Sequence, residues 1–328
     1  MNDADPRLRR RAVLLLLLAN VYWGLSFPLI KAITALNHLL VPEAGTWFLA
    51  AAALAPRFLL AGVIMVIFQR GALVRPSRRE LEQGLGIAVF ASAGSLLQTD
   101  GLQFTAATTS SFLTQFTAIV IPTWLAVRHW RNPGFVVWTA CLLVLAGAAI
   151  LGRLDLRTFR MGRGEVETVL CAFFFAAQIL WLERPAFAGN RVEVMTLVMF
   201  GAEAALFTAL GAGTAPRAEA LLAPWRSPAW LGLTLALAVV CTFGAFMIMN
   251  RWQPRISSTQ AGLIYAIEPL FASLFALFVP GLFSAWSGID YPDERATLTL
   301  VAGGGLITLA NVLVPLGTRG APDGPKPS

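Results

Sequence analysis

The chain has 328 residues, of which 57% are hydrophobic and only 13% are charged, and its mean hydropathy is +0.68. Soluble domains carry about 25% charged residues, so this composition excludes an ordinary soluble protein and indicates a polytopic membrane protein. The net charge of +7 would favour nucleic-acid binding in a soluble chain. Here the arginines lie between apolar runs, where they set topology, so no nucleic-acid partner is predicted.

Ten apolar runs follow one another along the chain, and each is long enough to cross a bilayer as a helix. They cover residues 12–36, 45–68, 84–101, 105–127, 133–152, 164–182, 192–212, 228–250, 256–280 and 296–317. We therefore predict an all-α polytopic membrane protein with ten transmembrane helices. A basic N-terminus (1–11) precedes them and a disordered tail (318–328) follows. The first run continues without a signal-peptide cleavage site, which predicts an uncleaved first helix.

The distribution of lysine and arginine predicts the orientation. With the N-terminus inside, the inner segments hold 16 of these residues and the outer connections hold 7. This bias places both termini in the cytoplasm, although the arginines at 153, 157, 160 and 163 would then face outward. Arginine greatly outnumbers lysine, which favours a GC-rich bacterial source and hence the bacterial cytoplasmic (inner) membrane.

The two halves of the chain resemble each other weakly. The segments Leu102–Thr117 and Trp252–Ile267, about 150 residues apart, both open on a polar link containing Gln and continue through Ser/Thr into an apolar run. Five helices in each half make the second half enter the membrane from the opposite side. We therefore predict two inverted five-helix repeats, 12–153 and 154–317, with a substrate site near mid-membrane where they meet.

The ninth run, 256–280, carries Glu268 followed by Pro269 near its middle. A carboxylate is costly at that depth, and the proline leaves the carbonyl of Tyr265 without its helical partner. Lipid satisfies neither group, so this face should look onto other helices or a water-filled cavity. The segment belongs either to a transport path, with Glu268 as a proton-coupling candidate, or to a kinked, packed helix whose carboxylate has an internal partner.

Three intramembrane charges are expected at one depth, because Arg57, Glu203 and Glu268 each lie roughly 16–18 Å from the inner end of their helices. In one interpretation the guanidinium binds a substrate carboxylate, and a glutamate binds an amine or a coupling proton. In the other, Arg57 permanently neutralises a glutamate and the pair only fixes helix packing. Pairing is expected in either case, since an isolated charge there costs roughly 2.5–3.5 kcal/mol.

Other side chains are candidates for the same substrate site. The amides of Asn20, Gln115 and Gln178 either face the cavity or join helices by hydrogen bonds. Tyr22 and Trp23 form either a cavity wall or a lipid contact, and Tyr265 completes the set of substrate-binding candidates. The candidate hinges are Pro28, Pro122 and Pro269.

Two further features concern the membrane interface and helix packing. Lys31 is expected to reach the outer interface by snorkelling and to act as an anchor. The glycine run 303–305 favours close helix packing or a contact between the subunits of a homodimer.

Metal and cofactor chemistry has little support in this sequence. The three cysteines lie inside apolar runs, show no CxxC spacing and have no histidine nearby, so neither a disulfide, a metal site nor a cofactor is predicted. A membrane enzyme would need an interfacial cluster of Asp, Glu or His. The only acidic cluster, Asp290, Asp293 and Glu294, lacks a histidine.

Several segments in register resemble the drug/metabolite transporter superfamily in its EamA-type branch. They are the WGLSFP segment of residues 23–28 followed by Lys31, the pair Arg57–Phe58, and the EPLF segment of residues 268–271. The resemblance implies a ten-helix carrier in which helices 1–4 and 6–9 line a central cavity. It also implies export or exchange of small metabolites such as amino acids.

Taken together, these features predict a non-enzymatic secondary active transporter of a small metabolite, working by alternating access around a midplane site. Its partners would be the metabolite, the lipid bilayer and, through Glu268, a coupling proton. The alternatives are a passive facilitator of the same fold, or a membrane-embedded enzyme or scaffold without transport.

Overall fold

The computed structural model describes residues 6–68, 74–128, 134–151, 161–256, 258–265 and 267–318. Over these ranges the chain is helical and contains no β-strand. The first helices are α1 (Pro6–Leu40), α2 (Thr46–Phe68), α3 (Arg78–Gly101), α4 (Ala107–Thr114), α5 (Thr117–Arg128), α6 (Phe135–Leu151) and α7 (Arg163–Leu182). The others are α8 (Val192–Thr214), α9 (Pro228–Ala236), α10 (Ala245–Trp252), α11 (Ser258–Tyr265), α12 (Glu268–Phe278), α13 (Pro280–Ser287) and α14 (Leu298–Thr318).

Among the residues that the structure describes, six helical segments are long and apolar enough to cross a membrane. They are Arg7–Leu40, Thr46–Phe68, Ala107–Arg128, Arg163–Leu182, Val192–Thr214 and Pro228–Arg255. The pair α12 and α13, bent by 47°, makes a seventh if it is one broken span. Within the described residues, α3 has the length of a span but a more polar composition, and the apolar stretches of α6 and α14 are shorter. The chain is a multi-pass helical protein. The ten transmembrane helices predicted from the sequence are more than the six or seven spans found among the described residues.

The ends of the chain differ in part from the prediction. Helix α1 begins at Pro6, so most of the basic segment assigned to a separate N-terminus belongs to the first helix. Proline is accepted there because the first helical residues have no intrahelical partner for an N–H. Of the predicted tail, only residue 318 is described, as the last residue of α14; residues 319–328 lie outside the described residues.

Three of the predicted runs are not continuous α-helices. Run 105–127 divides into α4 and α5 at Gln115, and run 256–280 divides into α11 and α12 just before Glu268. Proline in the first turn of a helix is tolerated, so Pro269 lies in the first turn of α12 rather than kinking the middle of one long helix. In run 228–250, a π-helical segment (Leu237–Gly244) connects α9 to α10.

Glycines let several helix pairs approach closely. A Cβ on Gly101 would lie 2.9 Å from the carbonyl oxygen of Gly164, and one on Gly164 would lie 2.6 Å from that of Gly101, so α3 and α7 touch through their backbones. A Cβ on Gly147 would lie 2.6 Å from the carbonyl oxygen of Gly303, where α6 packs on α14. The glycine run in α14 therefore includes a close helix contact within the chain, as small residues commonly do in membranes.

The helices that surround the centre of the molecule are α1, α2, α3, α7 and α8 together with the interrupted segments. Helix α2 packs on α8, α3 on α7, and α1 on α12. Aromatic rings fill the space between α2 and α8, where the Phe58 ring is stacked on Phe207 with centroids 5.8 Å apart. This arrangement leaves a cavity between the interrupted helices.

Candidate functional site

A cavity lies among these helices and is lined by residues from both halves of the chain; its empty space, including the part that opens to solvent, is about 680 Å³. Its polar side chains include Arg57, Gln98, Gln115, Gln178 and Glu268. Its apolar wall includes Trp23, Phe175, Phe246 and Tyr265. A pocket with a mainly apolar wall and a few convergent polar groups is the usual form of a small-molecule site.

Six of the nine substrate-binding candidates line this cavity. They are Trp23, Arg57, Gln115, Gln178, Tyr265 and Glu268. The other three, Asn20, Tyr22 and Glu203, do not line it. The cavity also contains Gln98 and several hydroxyl groups that the sequence did not single out, because a single Gln, Ser or Thr in an apolar run is a weak signal.

The guanidinium of Arg57 is held by the π-helical segment. Its Nε donates a hydrogen bond to Thr242 Oγ1 over 2.6 Å, and Thr242 Oγ1 donates to the carbonyl of Leu237 over 2.8 Å. Because the single hydroxyl proton of Thr242 goes to Leu237, its lone pairs are left for Arg57. π-Helical insertions are frequent at functional sites, and this one positions the acceptor for the cavity's arginine. No sequence signal marks Thr242.

Glu268 occupies the break between α11 and α12, as the first residue of α12. It is buried, and within the part of the chain that the structure describes its carboxylate has neither an ion pair nor a hydrogen bond. Its position at a helix N-terminus favours negative charge, because the helix dipole and free N–H groups point toward it. The carboxylate is therefore available to a ligand or a proton.

The break between α4 and α5 brings Gln115 to the same cavity. The backbone there tightens, with the Gln115 N–H bonded to the carbonyl of Phe112 over 3.1 Å and the Ala118 N–H bonded to that of Gln115 over 2.9 Å. Across the described ranges, neither Gln115 nor Gln178 has a side-chain hydrogen-bond partner. Two interrupted segments, one in each half, thus place polar groups in one cavity.

The aromatic wall is held in place by its neighbours. The Trp23 ring lies edge-on to Phe246, at 5.7 Å between centroids, and to Tyr265, at 5.4 Å. The Tyr265 hydroxyl donates to Gln253 Oε1 over 2.9 Å. The rings of Trp23 and Tyr265 therefore form a fixed apolar surface beside Glu268.

The three candidates outside the cavity have other surroundings. Asn20 Nδ2 donates to the carbonyls of Leu16 and Ile264 over 2.9 and 3.0 Å and so joins α1 to α11. Tyr22 is partly buried, with its ring close to Gly244 of the π-helical segment. Glu203 is fully buried, and neither of its carboxylate oxygens has a partner among the residues that the structure describes. Only two of the three predicted midplane charges therefore share the cavity.

Lys31 is partly buried. Its ammonium group donates to the carbonyl of Thr105 and lies 5.9 Å from the centroid of the Tyr291 ring, and its role as an interface anchor stays a prediction. The acidic cluster nearby is also engaged. Glu294 accepts hydrogen bonds from the Ala107 N–H over 2.7 Å and from Thr108 Oγ1 over 2.6 Å, at the N-terminus of α4.

The candidate hinges lie in or beside helices. Pro28 is inside α1, Pro122 is inside α5, and Pro269 is in the first turn of α12. Only Pro269 adjoins a helix break, which sits directly at the cavity. The hinge role of all three remains a prediction.

Known proteins resemble this chain over most of its length. No family model matches it. One relative from Archaeoglobus fulgidus, described as an uncharacterized transporter, is 26% identical over 267 residues, covering 80% of this chain and 76% of the relative. A second uncharacterized transporter of that organism is 25% identical over 248 residues, covering 71% and 82%.

The fold also has a solved counterpart. A crystal structure described only as that of a protein superimposes with a TM-score of 0.58 at 17% identity, covering 95% of this chain and 99% of the other. This similarity supports the fold alone. Together with the apolar helices, the two relatives indicate a multi-pass membrane protein of a general transporter kind.

Proposed function

We propose that this chain is a secondary active transporter of the drug/metabolite type, which exports or exchanges a small metabolite such as an amino acid. The observation that carries the proposal is the cavity that Arg57 and Glu268 line together with an aromatic wall. An isolated charge in a membrane interior is costly, so its retention in a cavity favours a role in a substrate or ion pathway. The transporter names of the relatives support the same class rather than an enzyme.

The cavity offers complementary contacts to a small polar or amphipathic molecule. The Arg57 guanidinium suits a carboxylate, because it provides several N–H donors in a fixed plane. Glu268 suits an amine or a coupling proton, and the free amides of Gln115 and Gln178 can bond neutral polar groups. Trp23 and Tyr265 provide an apolar surface for the rest of the molecule.

Alternating access by two inverted repeats, 12–153 and 154–317, forms part of the proposal. In order of span, α1, α2, α3, α4/α5 and α6 would correspond to α7, α8, α9/α10, α11/α12 and α14. The segments α4/α5 and α11/α12 then occupy equivalent positions, and both are interrupted. The helix contacts agree with this correspondence. Helix α1 packs on α12 in the second half, and its counterpart α7 packs on α4 and α5 in the first half. Interrupted helices at a repeat interface are typical of secondary transporters with a midplane site.

The topology in the proposal comprises ten spans, with both termini cytoplasmic, in a bacterial inner membrane. It rests on the bias of arginine toward the predicted inner connections. The proposal also includes a homodimer, and it includes proton coupling through Glu268.

The acidic cluster in the connection 281–295 supports no enzyme site, because Asp293 and Glu294 accept hydrogen bonds from the backbone N–H groups of Gly281 and Ala107.

Transport by the purified full chain in proteoliposomes tests the proposal. A panel of amino acids and related metabolites is offered with and without an imposed pH gradient. Gradient-stimulated accumulation of one compound class would establish a coupled transporter. Equilibration without a gradient effect would leave a passive facilitator, and no transport of any compound would refute the transporter assignment.

Variants of the two cavity charges refine that result. Glu268→Gln is expected to abolish the gradient effect, and Arg57→Gln is expected to weaken transport of carboxylate substrates selectively. Glu219→Gln and Arg226→Gln, at exposed positions outside the cavity, are the matched controls. An unchanged pH dependence in Glu268→Gln would exclude this carboxylate as the coupling group.

A further inference from the structure

Two arginines from separate elements meet on one tryptophan ring at the end of the molecule where α1 begins. The guanidinium carbon of Arg11, in the first turns of α1, lies 5.2 Å from the centroid of Trp252, the last residue of α10. That of Arg255, in the short turn after α10, lies 4.5 Å from the same ring. We call these three residues the Arg–Trp–Arg site.

The Arg–Trp–Arg site has no anionic partner within the described parts of the chain. No carboxylate there forms an ion pair with Arg11 or Arg255. Glu193 pairs with Arg251 over 3.4 Å, and Glu183 accepts a hydrogen bond from Gln253 Nε2 over 3.1 Å. Two like charges on one ring repel each other, so an anion between them would be favoured by both.

Further arginines strengthen this positive surface. Because α1 is helical from Pro6, Arg9 and Arg10 are held on the same turns as Arg11, and all three are exposed. Clusters of arginine next to a membrane-spanning helix attract anionic lipid headgroups, at about 1 kcal/mol for each residue near the surface. This arginine surface suits a phosphate group, either a free phosphate or the phosphate of a lipid.

The surface beside the Arg–Trp–Arg site distinguishes these two sources. Leu14 and Leu18 are exposed by 57% and 38%. Leu14 follows Arg11 by three residues, and Leu18 follows Leu14 by four. Residues at these spacings share one face of a helix, so a strip of exposed leucine runs from the arginine into the apolar span. Trp252 adds an aromatic ring of the kind that lies at headgroup level. A free phosphate would make no use of this strip.

We propose that the Arg–Trp–Arg site binds the phosphate of an anionic phospholipid, whose acyl chains lie along Leu14 and Leu18. Arg11 and Arg255 hold the phosphate between them, while Trp252 orients both guanidinium groups from its ring. This site is separate from the central cavity, because none of its three residues lines that cavity. It requires only that the chain is embedded in a membrane.

Native mass spectrometry of the full chain in detergent tests the proposal. The protein is titrated with phosphatidylglycerol, with phosphatidylcholine of identical acyl chains, and with inorganic phosphate. We expect one saturable phosphatidylglycerol adduct that forms at a concentration at least tenfold lower than the phosphatidylcholine adduct. Equal retention of the two lipids would overturn the proposal. If millimolar inorganic phosphate displaced bound phosphatidylglycerol as effectively as added phosphatidylglycerol does, a free phosphate rather than a lipid would be the ligand.

Variants locate the binding on this site. Arg11→Gln combined with Arg255→Gln should remove the preference for phosphatidylglycerol. Arg226→Gln, an exposed arginine just before α9 and so at the opposite end of that span, should leave it intact. The single variant Arg11→Gln changes an exposed side chain and should weaken the preference even if the double variant does not fold. An unchanged preference in these site variants would refute the assignment.

Discussion

Replacing Thr242 with valine should release the Arg57 side chain from the π-helical segment. Valine has nearly the shape of threonine, so the change removes the hydroxyl without opening a cavity. The lost contact is the 2.6 Å hydrogen bond from Arg57 Nε, and Thr242 is fully buried. The variant therefore leaves a charged donor without its acceptor inside the protein.

The expected cost follows from the charge on the donor. A hydrogen bond to a charged group contributes about 1.5–3 kcal/mol, and an unmatched buried donor loses most of that amount. We expect Thr242→Val to lower the free energy of unfolding by this range. Since 1.4 kcal/mol corresponds to a factor of about ten in affinity, binding of a carboxylate substrate by a displaced Arg57 should weaken about tenfold or more.

A double-mutant cycle with Arg57→Met isolates this contact from the second bond of Thr242, to Leu237. Unfolding is measured in mixed micelles for the parent chain, both single variants and the double variant. We expect a coupling energy of at least about 1 kcal/mol, and Thr242→Ser should keep most of the parent stability. Coupling below about 0.5 kcal/mol, which is the usual scatter for independent sites, would refute the role of Thr242.

Two further predictions concern carboxylates outside the membrane spans. The hydrogen bond from Arg191 lowers the pKa of Glu80, so this carboxylate contributes stability above its unfolded pKa, and the contribution is lost as the pH falls through the folded pKa. Unfolding measured between about pH 5 and 3 should therefore show a steeper loss for the parent chain than for Glu80→Gln, and equal slopes would contradict this. Glu294→Gln should lower the free energy of unfolding by about 1 kcal/mol, because the carboxylate caps α4. Asp290→Asn, at an exposed position of the same connection, should have no measurable effect, and equal losses in the two variants would contradict the capping role.

The charges of the cavity could be expected from the sequence, because a charge inside an apolar run is rare and costly. Their spacing along the helices predicts Arg57 and Glu268 at one depth, and the structure places both in one cavity. The same spacing predicts Glu203 at that depth. Depth alone does not fix which face of a helix a residue occupies, and Glu203 lies outside the cavity lining.

The interruptions of the helices were only partly predictable. Pro269 marks the break before α12, since proline is accepted in the first turn of a helix but not in its middle. The break at Gln115 has no proline, and the nearest one, Pro122, lies inside α5. The π-helical segment around Thr242 likewise has no local signal. Both features depend on packing between distant parts of the chain, which local sequence patterns do not encode.

The close approach of α1 to α12 at Gly24 leads to a prediction that links packing to the cavity. A Cβ at Gly24 would lie 2.7 Å from Phe271 Cβ and 2.8 Å from the backbone nitrogen of Ala272, and neither atom can move without α12. Gly24→Ala should therefore lower the free energy of unfolding by about 1–3 kcal/mol through overpacking.

The matched control for Gly24 is Gly213→Ala in α8, where no described atom beyond the adjoining backbone of that helix and the two neighbouring residues lies within 4 Å of the added Cβ. There alanine should be neutral or should stabilise the helix by up to about 1 kcal/mol, since glycine is the poorer helix former. Unfolding in mixed micelles measures both variants. Because α1 carries Trp23 and α12 carries Glu268, Gly24→Ala should also reduce transport, whereas Gly213→Ala should not. Equal stability of the two variants would mean that α1 and α12 can separate freely, and the cavity between them would then lack the fixed shape on which selective binding depends.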